Sequence, residues 1–135
     1  MAIFVDTSVF VSFFNSDDQN HEKAKKIMSD IATGKYGEPL TSDYIFDETL
    51  TVMLTRTKKL HFAIEAGEYI LAAYSIAAIT QVVLQEAWEI FKNQNQEKMS
   101  FTDCTSRVFA ENLGIRNIAT FDQAFKKIER VTVID

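Results

Sequence analysis

Apolar and polar positions alternate in short blocks along this chain, and the blocks predict strands and helices in turn. Ile3, Phe4 and Val5 form a brief apolar run suited to a buried strand. Val9 to Phe14 continues apolar as a short helix, and the polar stretch NSDDQN breaks it. Ala24, Ile27, Met28 and Ile31 share one helical face and predict a helix over His21 to Ala32. Gly34, Gly37 and Pro39 mark a loop before a short strand, Leu40 to Ser42. Two helices follow, Asp43 to Thr57 and His61 to Ala73, then a strand at Ile76 to Ile79 and a helix at Val82 to Asn93. After a polar loop, Gln94 to Met99, a helix runs from Phe101 to Leu113, with Gly114 at its C′ position. Strands at Asn117 to Thr120 and Val131 to Ile134 end the chain, with a short helix, Gln123 to Ile128, between them.

Strands that alternate with helices imply a parallel sheet covered on both faces. In such sheets, sites form outside the carboxyl ends of the strands. That rule frames the tetrapeptide VDTS, where Asp6 ends the first strand. Asp122 lies just past the strand that ends at Thr120, and Asp103 opens the helix before that strand. Glu48 lies one turn into the helix after the second strand. The chain can therefore gather four acids at one end of the sheet.

Each acid also has a purely structural reading. Asp6, Thr7 or Ser8 could cap the helix that follows, and Asp122 could cap the segment after it. Asp103 stands three residues after Ser100, the spacing of a capping-box-like start. Glu48 could be a solvated helix acid, although its apolar neighbours place it at the border of packed surface. Asp43 and Asp47 suit plain capping and first-turn dipole roles. Independent caps have no reason to converge on one crevice, and that conjunction favours chemistry.

Composition narrows the class. A chain of 135 residues, 47% hydrophobic and 24% charged, suits one globular domain over residues 1–135. Cys104 is the single cysteine, which excludes an internal disulfide and points to a reducing compartment. The longest apolar run, Tyr69 to Ile79, falls short of the ~20 residues needed to span a bilayer. No basic segment precedes the first strand, so no signal peptide is expected and the expected location is the cytoplasm. A net charge of −5 argues against a protein that coats nucleic acid by phosphate neutralisation alone. It leaves room for an enzyme that meets phosphate through bound metal.

Four motifs in order, VDTS, DETL, SFTDC and ATFDQAF, make the chain similar to PIN-domain ribonucleases. More narrowly, it resembles the VapC-type toxins of bacterial and archaeal toxin–antitoxin pairs. The similarity covers essentially the whole chain, and the late pair SFTDC and TFDQAF is its most specific part. The resemblance implies an α/β fold: a three-layer α/β/α sandwich with a short, mainly parallel sheet. It implies that Asp6, Glu48, Asp103 and Asp122 form the family's acidic quartet, with Thr7 or Ser8 and Thr120 at its hydroxyl positions. It further implies a divalent metal, hydrolysis of RNA phosphodiester bonds, a small antitoxin protein as partner, and frequent homodimers. A non-catalytic PIN-like module that binds RNA or protein is the alternative, as is an RNA-processing nuclease without a toxin role.

The residue types agree with that chemistry. Mg²⁺ and Mn²⁺ prefer hard oxygen ligands, so a carboxylate cluster can hold one or two such ions against a scissile phosphate. Asp6 and Asp103 are read as principal ligands, and Glu48 and Asp122 as further ligands or water-positioning groups. Thr7, Ser8 and Thr120 are read as donors that orient carboxylates. Neither His21 nor His61 has a sequence partner suggesting zinc. Arg56, Lys58 and Lys59, beside His61, either complement a helix C-terminus or grip substrate phosphate; Lys126, Lys127 and Arg130 invite the same two readings. Phe13, Phe14, Phe62 and Tyr69 could stack bases or form a partner groove. An aspartyl phosphatase would want D-x-D where Ser8 stands, and a receiver-like domain would want an acid near Ile76 to Thr80; neither is present.

Overall fold

The computed structural model describes residues 1–135. Five strands form one all-parallel sheet: β1 (Ala2–Val5), β2 (Glu38–Ser42), β3 (Ser75–Ala77), β4 (Asn117–Ala119) and β5 (Thr132–Ile134), in the order β3-β2-β1-β4-β5. Six helices connect them: α1 (Thr7–Phe14), α2 (His21–Ala32), α3 (Asp43–Thr57), α4 (Leu60–Ala73), α5 (Gln81–Lys92) and α6 (Phe101–Asn112). A 3₁₀ segment, Gln123–Lys127, links β4 to β5. Helices α1 to α4 pack among themselves, and α5 packs with α6. Right-handed crossovers place these two groups on opposite faces of the sheet, giving the expected α/β/α layers.

Local sequence explains most boundaries. Strand β1 lies at the centre of the sheet, and Ile3, Phe4 and Val5 are fully buried. Helix α2 buries Ala24, Ile27, Met28 and Ile31, the face its periodicity predicts. Ser42 caps α3 by accepting the Ile45 N–H at 3.2 Å. Asp43 is the first-turn acid of α3, as read in the sequence, and has a further task. Its Oδ1 accepts the N–H groups of Tyr44 and Ile79, at 2.9 and 3.0 Å, tying the start of α3 to the segment after β3.

Strand β2 begins two residues before its expected start because Pro39 fits inside it. Glu38 donates its N–H to Met1 at the β1 edge, so the Pro39 nitrogen faces the other way. Strand β3 pairs only from Leu40 onward, so no ladder bond is lost at Pro39. Gly37 permits this approach: its φ is +83°, and a Cβ there would collide with the Met1 carbonyl. No helix is long and apolar enough to cross a membrane.

The strand order reverses at β1. From β1 the chain steps to β2 and β3 on one side, then returns to place β4 and β5 on the other. The crevice between the carboxyl ends of β1 and β4 is thus a topological switch point, where parallel sheets commonly bind ligands.

Candidate active site

Asp6 is the first residue after β1, and it holds the N-cap position of α1 without capping it. Its carboxylate turns instead to the crevice, where only 4% of the residue is exposed. Two hydroxyl groups converge on one of its oxygens. Thr120 donates to Asp6 Oδ2 at 2.8 Å, and Ser8 donates to the same oxygen at 2.9 Å. Ser8 Oγ in turn accepts the Phe121 N–H at 2.9 Å, and Thr120 Oγ1 accepts the Asp122 N–H at 3.0 Å. These four bonds stitch the end of β1 to the loop after β4. The other oxygen, Asp6 Oδ1, is buried and has no hydrogen-bond partner.

Asp103 approaches from α6. Ser100 accepts the Asp103 N–H at 3.1 Å, and Asp103 Oδ2 accepts the Ser100 N–H at 3.3 Å, completing a reciprocal capping box. The structural and chemical readings of this acid hold together, since the box fixes the carboxylate at the crevice wall. Asp122 also does both: its Oδ1 caps the 3₁₀ segment by accepting the Ala124 N–H at 2.9 Å, and the residue lines the same crevice. Glu48 lines the crevice from α3. All four acids therefore border one open cleft of about 340 Å³.

The electrostatics follow from this crowding. Burial pushes the Asp103 carboxyl up to about 7, with the Asp6 and Asp122 charges adding to the effect and the Ser100 bonds opposing it. Burial likewise raises Asp6, assisted by the charge of Glu48 and opposed by the Thr120 and Ser8 hydroxyls. A buried, unpartnered carboxylate oxygen among other acids is costly unless it is protonated or meets a cation. The donor set is all oxygen, which suits a hard divalent ion. No three His, Cys, Asp or Glu side chains stand close enough together to hold a metal ion as they are, so ligation here would require the carboxylates to draw in or water to complete the shell.

The remaining expected residues separate. Thr7 is buried and its hydroxyl has no partner, so of the expected hydroxyl donors only Ser8 and Thr120 reach the Asp6 carboxylate. Arg56 lines the cleft, whereas Lys59 lines the hollow beside it and Lys58 takes the left-handed conformation that ends α3. Lys126 pairs with Asp135 at 2.9 Å. His21 donates its Nδ1 proton to the Ser12 carbonyl at 2.8 Å, a structural role, and His61 packs on Phe62 at a tilt of 39°. Phe13, Phe14 and Tyr69 pack on one another, largely as core.

Asp18 is the cleft residue the sequence did not disclose. Its Oδ1 accepts the Ser12 hydroxyl at 3.0 Å and the Asn20 N–H at 2.8 Å, and its Oδ2 lies 3.8 Å from Arg56. A larger hollow of about 420 Å³ lies at the amino ends of β4 and β5. Arg107, Arg116 and Arg130 line it together with Glu111 and Glu129, with Arg107 paired to Glu111 at 3.1 Å, a mixture of opposed charges without a buried unpartnered acid.

Fold and site together define a parallel α/β sandwich whose switch-point crevice is lined by carboxylates. The PIN domain family model matches residues 3–131, and the chain belongs to that family. It is 32% identical over 130 residues to the VapC ribonuclease of Archaeoglobus fulgidus, across 93% of this chain and 80% of that protein. It is 28% identical over 123 residues to the 23S rRNA-specific endonuclease VapC20 of Mycobacterium tuberculosis, covering 91% of each. The crystal structure of that Sarcin-Ricin loop cleaving toxin superposes with a TM-score of 0.81 over 90% of each chain. VapBC2 from Rickettsia felis, solved bound to a DNA fragment from its promoter, shares the fold at a TM-score of 0.71 and 14% identity, over 98% of this chain and 97% of that one.

Proposed function

We propose that this chain is a metal-dependent endoribonuclease that hydrolyses RNA phosphodiester bonds, and that it is the toxin of a toxin–antitoxin pair. The observation that carries the reading is Asp6: a buried carboxylate with one oxygen clamped by Ser8 and Thr120 and the other left without a partner, facing a cleft bordered by three more acids. Family membership and two relatives named as ribonucleases support RNA as the substrate. Residues 1–135 are read as one PIN-like unit, an assignment supported by a core cluster that draws on all six helices and, with the half-buried side chains packed against it, on every strand.

Asp6 and Asp103 would be the principal ligands of Mg²⁺ or Mn²⁺, with Glu48 and Asp122 completing the site or orienting water. A divalent ion held there would polarise the phosphoryl oxygen, present water for in-line attack and stabilise the leaving oxygen. The chain's own residues prepare that chemistry. Ser8 and Thr120 fix the Asp6 carboxylate, and the Ser100 capping box fixes Asp103. Arg56 at the cleft rim supplies a cation for substrate phosphate.

The toxin role rests on the same relatives and on a second surface. Leu54, Leu60, Ile64 and Leu71 are exposed along α3 and α4, around an apolar groove of about 340 Å³. Exposed apolar side chains grouped in this way suit a small antitoxin protein. A second copy of the chain is the other partner we propose.

Cleavage of total cellular RNA with Mg²⁺ or Mn²⁺, mapped by end sequencing and compared with Asp6→Asn, tests the activity. Discrete cuts that vanish in the variant are expected; identical patterns from both proteins would refute the assignment. Overexpression in the host should arrest growth, with relief by a co-expressed small partner. Harmless overexpression of an enzyme active in vitro would favour an RNA-processing nuclease.

A further inference from the structure

Arg56 belongs to two hollows at once. It lines the acidic cleft, and it also lines an adjoining pocket of about 300 Å³ between the end of α1 and the α3–α4 junction. The salt bridge to Asp18, 3.8 Å away, holds the guanidinium at this shared wall. Asp18 is itself anchored by Ser12 and Asn20. The adjoining pocket and the cleft are thus neighbours that share the Arg56 wall.

Its other walls have the chemistry of a nucleotide site. Lys59 Nζ stands over the Phe62 ring, 5.8 Å from its centre, and His61 packs on the ring at 4.3 Å between centroids, so a base reaches Phe62 where the exposed Lys59 ammonium moves aside to its phosphate. Phe14 adds a further ring. Asn15 and Asp17 add an amide and a carboxylate. Asn15 Oδ1 already accepts the Asp17 N–H at 3.2 Å, which leaves the Asn15 amide hydrogens for an outside acceptor. Unpaired RNA bases are recognised by stacking on aromatic rings and by hydrogen bonds to their edges, while cations take the phosphates.

The geometry points to a subsite for one unpaired nucleotide next to the scissile phosphate: Arg56 and Lys59 take its phosphate, Phe62 stacks its base, and Asn15 and Asp17 read its edge. This subsite rests on the ribonuclease reading for its substrate class. It gives the enzyme a preference at one position beside the cut and explains the basic knot at the end of α3. The occupant is single-stranded RNA rather than an acidic partner segment, because the pocket shares its Arg56 wall with the acidic cleft, where a metal-neutralised phosphate backbone would run and a string of carboxylates would not.

Equilibrium binding tests the subsite without requiring turnover. The probe is a fluorescent single-stranded oligoribonucleotide of about 12 random nucleotides, within the usual footprint of such grooves. It is titrated with the full chain, with and without Mg²⁺, in an Asp6→Asn background that prevents cleavage. Phe62→Leu keeps apolar bulk and removes the ring, and it should weaken binding about tenfold. Lys59→Gln should lower the slope of log K against log salt by about 0.7, the signature of one lost single-strand phosphate contact. Lys25→Gln, on exposed α2, should change neither. In the background of intact Asp6, sequencing the cuts in a randomised pool should show the preference at one flanking position flattened by Phe62→Leu, with KM raised more than kcat lowered. Variants that melt like the parent and keep its affinity, salt slope and preference would overturn the subsite even if cleavage is confirmed. Loss of binding to a partner protein with RNA binding intact would assign the pocket to that partner instead. If no RNA is cut but the probe binds and responds as described, the subsite stands and the hydrolase reading falls.

Discussion

Thr120 donates its hydroxyl proton to Asp6 Oδ2 at 2.8 Å while accepting the Asp122 N–H at 3.0 Å. One fully buried side chain thus aligns two of the four acids from opposite sides of the β1–β4 crevice. The contact between Thr120 and Ser8 hydroxyls, at 3.3 Å, is secondary, since both hydroxyl protons are committed to Asp6. Thr120→Val keeps the shape and removes both bonds. It should weaken Mn²⁺ affinity about 10- to 100-fold, as loss of ligand-orienting partners commonly does. Its stability should fall by about 1–3 kcal/mol because the Asp122 N–H loses its acceptor. Thr120→Ser should retain both bonds and most of the affinity. Isothermal titration with Mn²⁺ and denaturant melts of the three proteins decide it; equal affinities throughout would remove Thr120 from the positioning role.

The acids of the cleft should separate from the acids outside it. Asp6→Asn and Asp103→Asn should each lower metal-dependent cleavage about a hundredfold or more while leaving the circular dichroism of the fold unchanged. Asp43→Asn should remain active, because its amide oxygen can still accept the Tyr44 and Ile79 N–H groups. Asp47→Asn, exposed on α3, should also remain active. Comparable losses at all four positions in well-folded variants would show that the wrong acids have been assigned.

The sheet and its helices were legible because their signals are local. The buried face of α2 repeats at helical spacing, and Ser42, Ser100 and Gly114 punctuate helices as single residues. Strand β2 began early because Pro39 reads as a stop in isolation; only the pairing of β3 from Leu40 shows that its missing N–H faces no neighbour. The quartet of acids was legible through topology, since three of the four sit at or just beyond strand ends or open a helix there. Asp18 was not. It stands in the aperiodic stretch NSDDQN, and its importance arises when that turn folds back on Ser12 and against the end of α3. Asp43 sits in the first turn of α3 as its position predicts, but its second partner, Ile79, lies 36 residues away and is invisible to a local reading.

Asp103 gives the cleft a pH response. In the folded chain its carboxyl holds a proton up to about pH 7, against an ordinary value of 3.8. Between those values the folded state binds more protons than the unfolded state, so this contribution to stability falls as pH rises from about 4 to about 7. Metal-free protein should therefore lose stability across that window more steeply than Asp103→Asn, whose amide does not titrate. Metal ligation requires the deprotonated form, so the stabilisation by Mn²⁺ should grow as pH rises through the same window. Thermal melts with chelator and with Mn²⁺, at pH 5 and pH 7.5, read both trends. A wild-type profile that parallels Asp103→Asn at every pH would mean that Asp103 titrates in the ordinary carboxylate range.

The same crowding links metal to folding. Carboxylates drawn into one cleft repel each other, and burial adds a desolvation cost at Asp6 and Asp103. A divalent cation relieves that repulsion and binds only where the residues are assembled, so it should stabilise the fold by RT ln(1 + [L]/Kd). At a hundredfold excess over Kd this is about 2.7 kcal/mol. For a chain of this size that corresponds to a rise in Tm of about 10 °C. Asp6→Asn should leave the metal-free Tm level or raise it, because it removes a buried charge, and it should blunt the metal response. Magnesium and manganese should act in the same direction, since both take oxygen ligands. A chelated wild-type protein whose Tm stays constant through a Mn²⁺ titration, in parallel with Asp6→Asn, would reduce Asp103 and Asp122 to the helix caps their hydrogen bonds already make them.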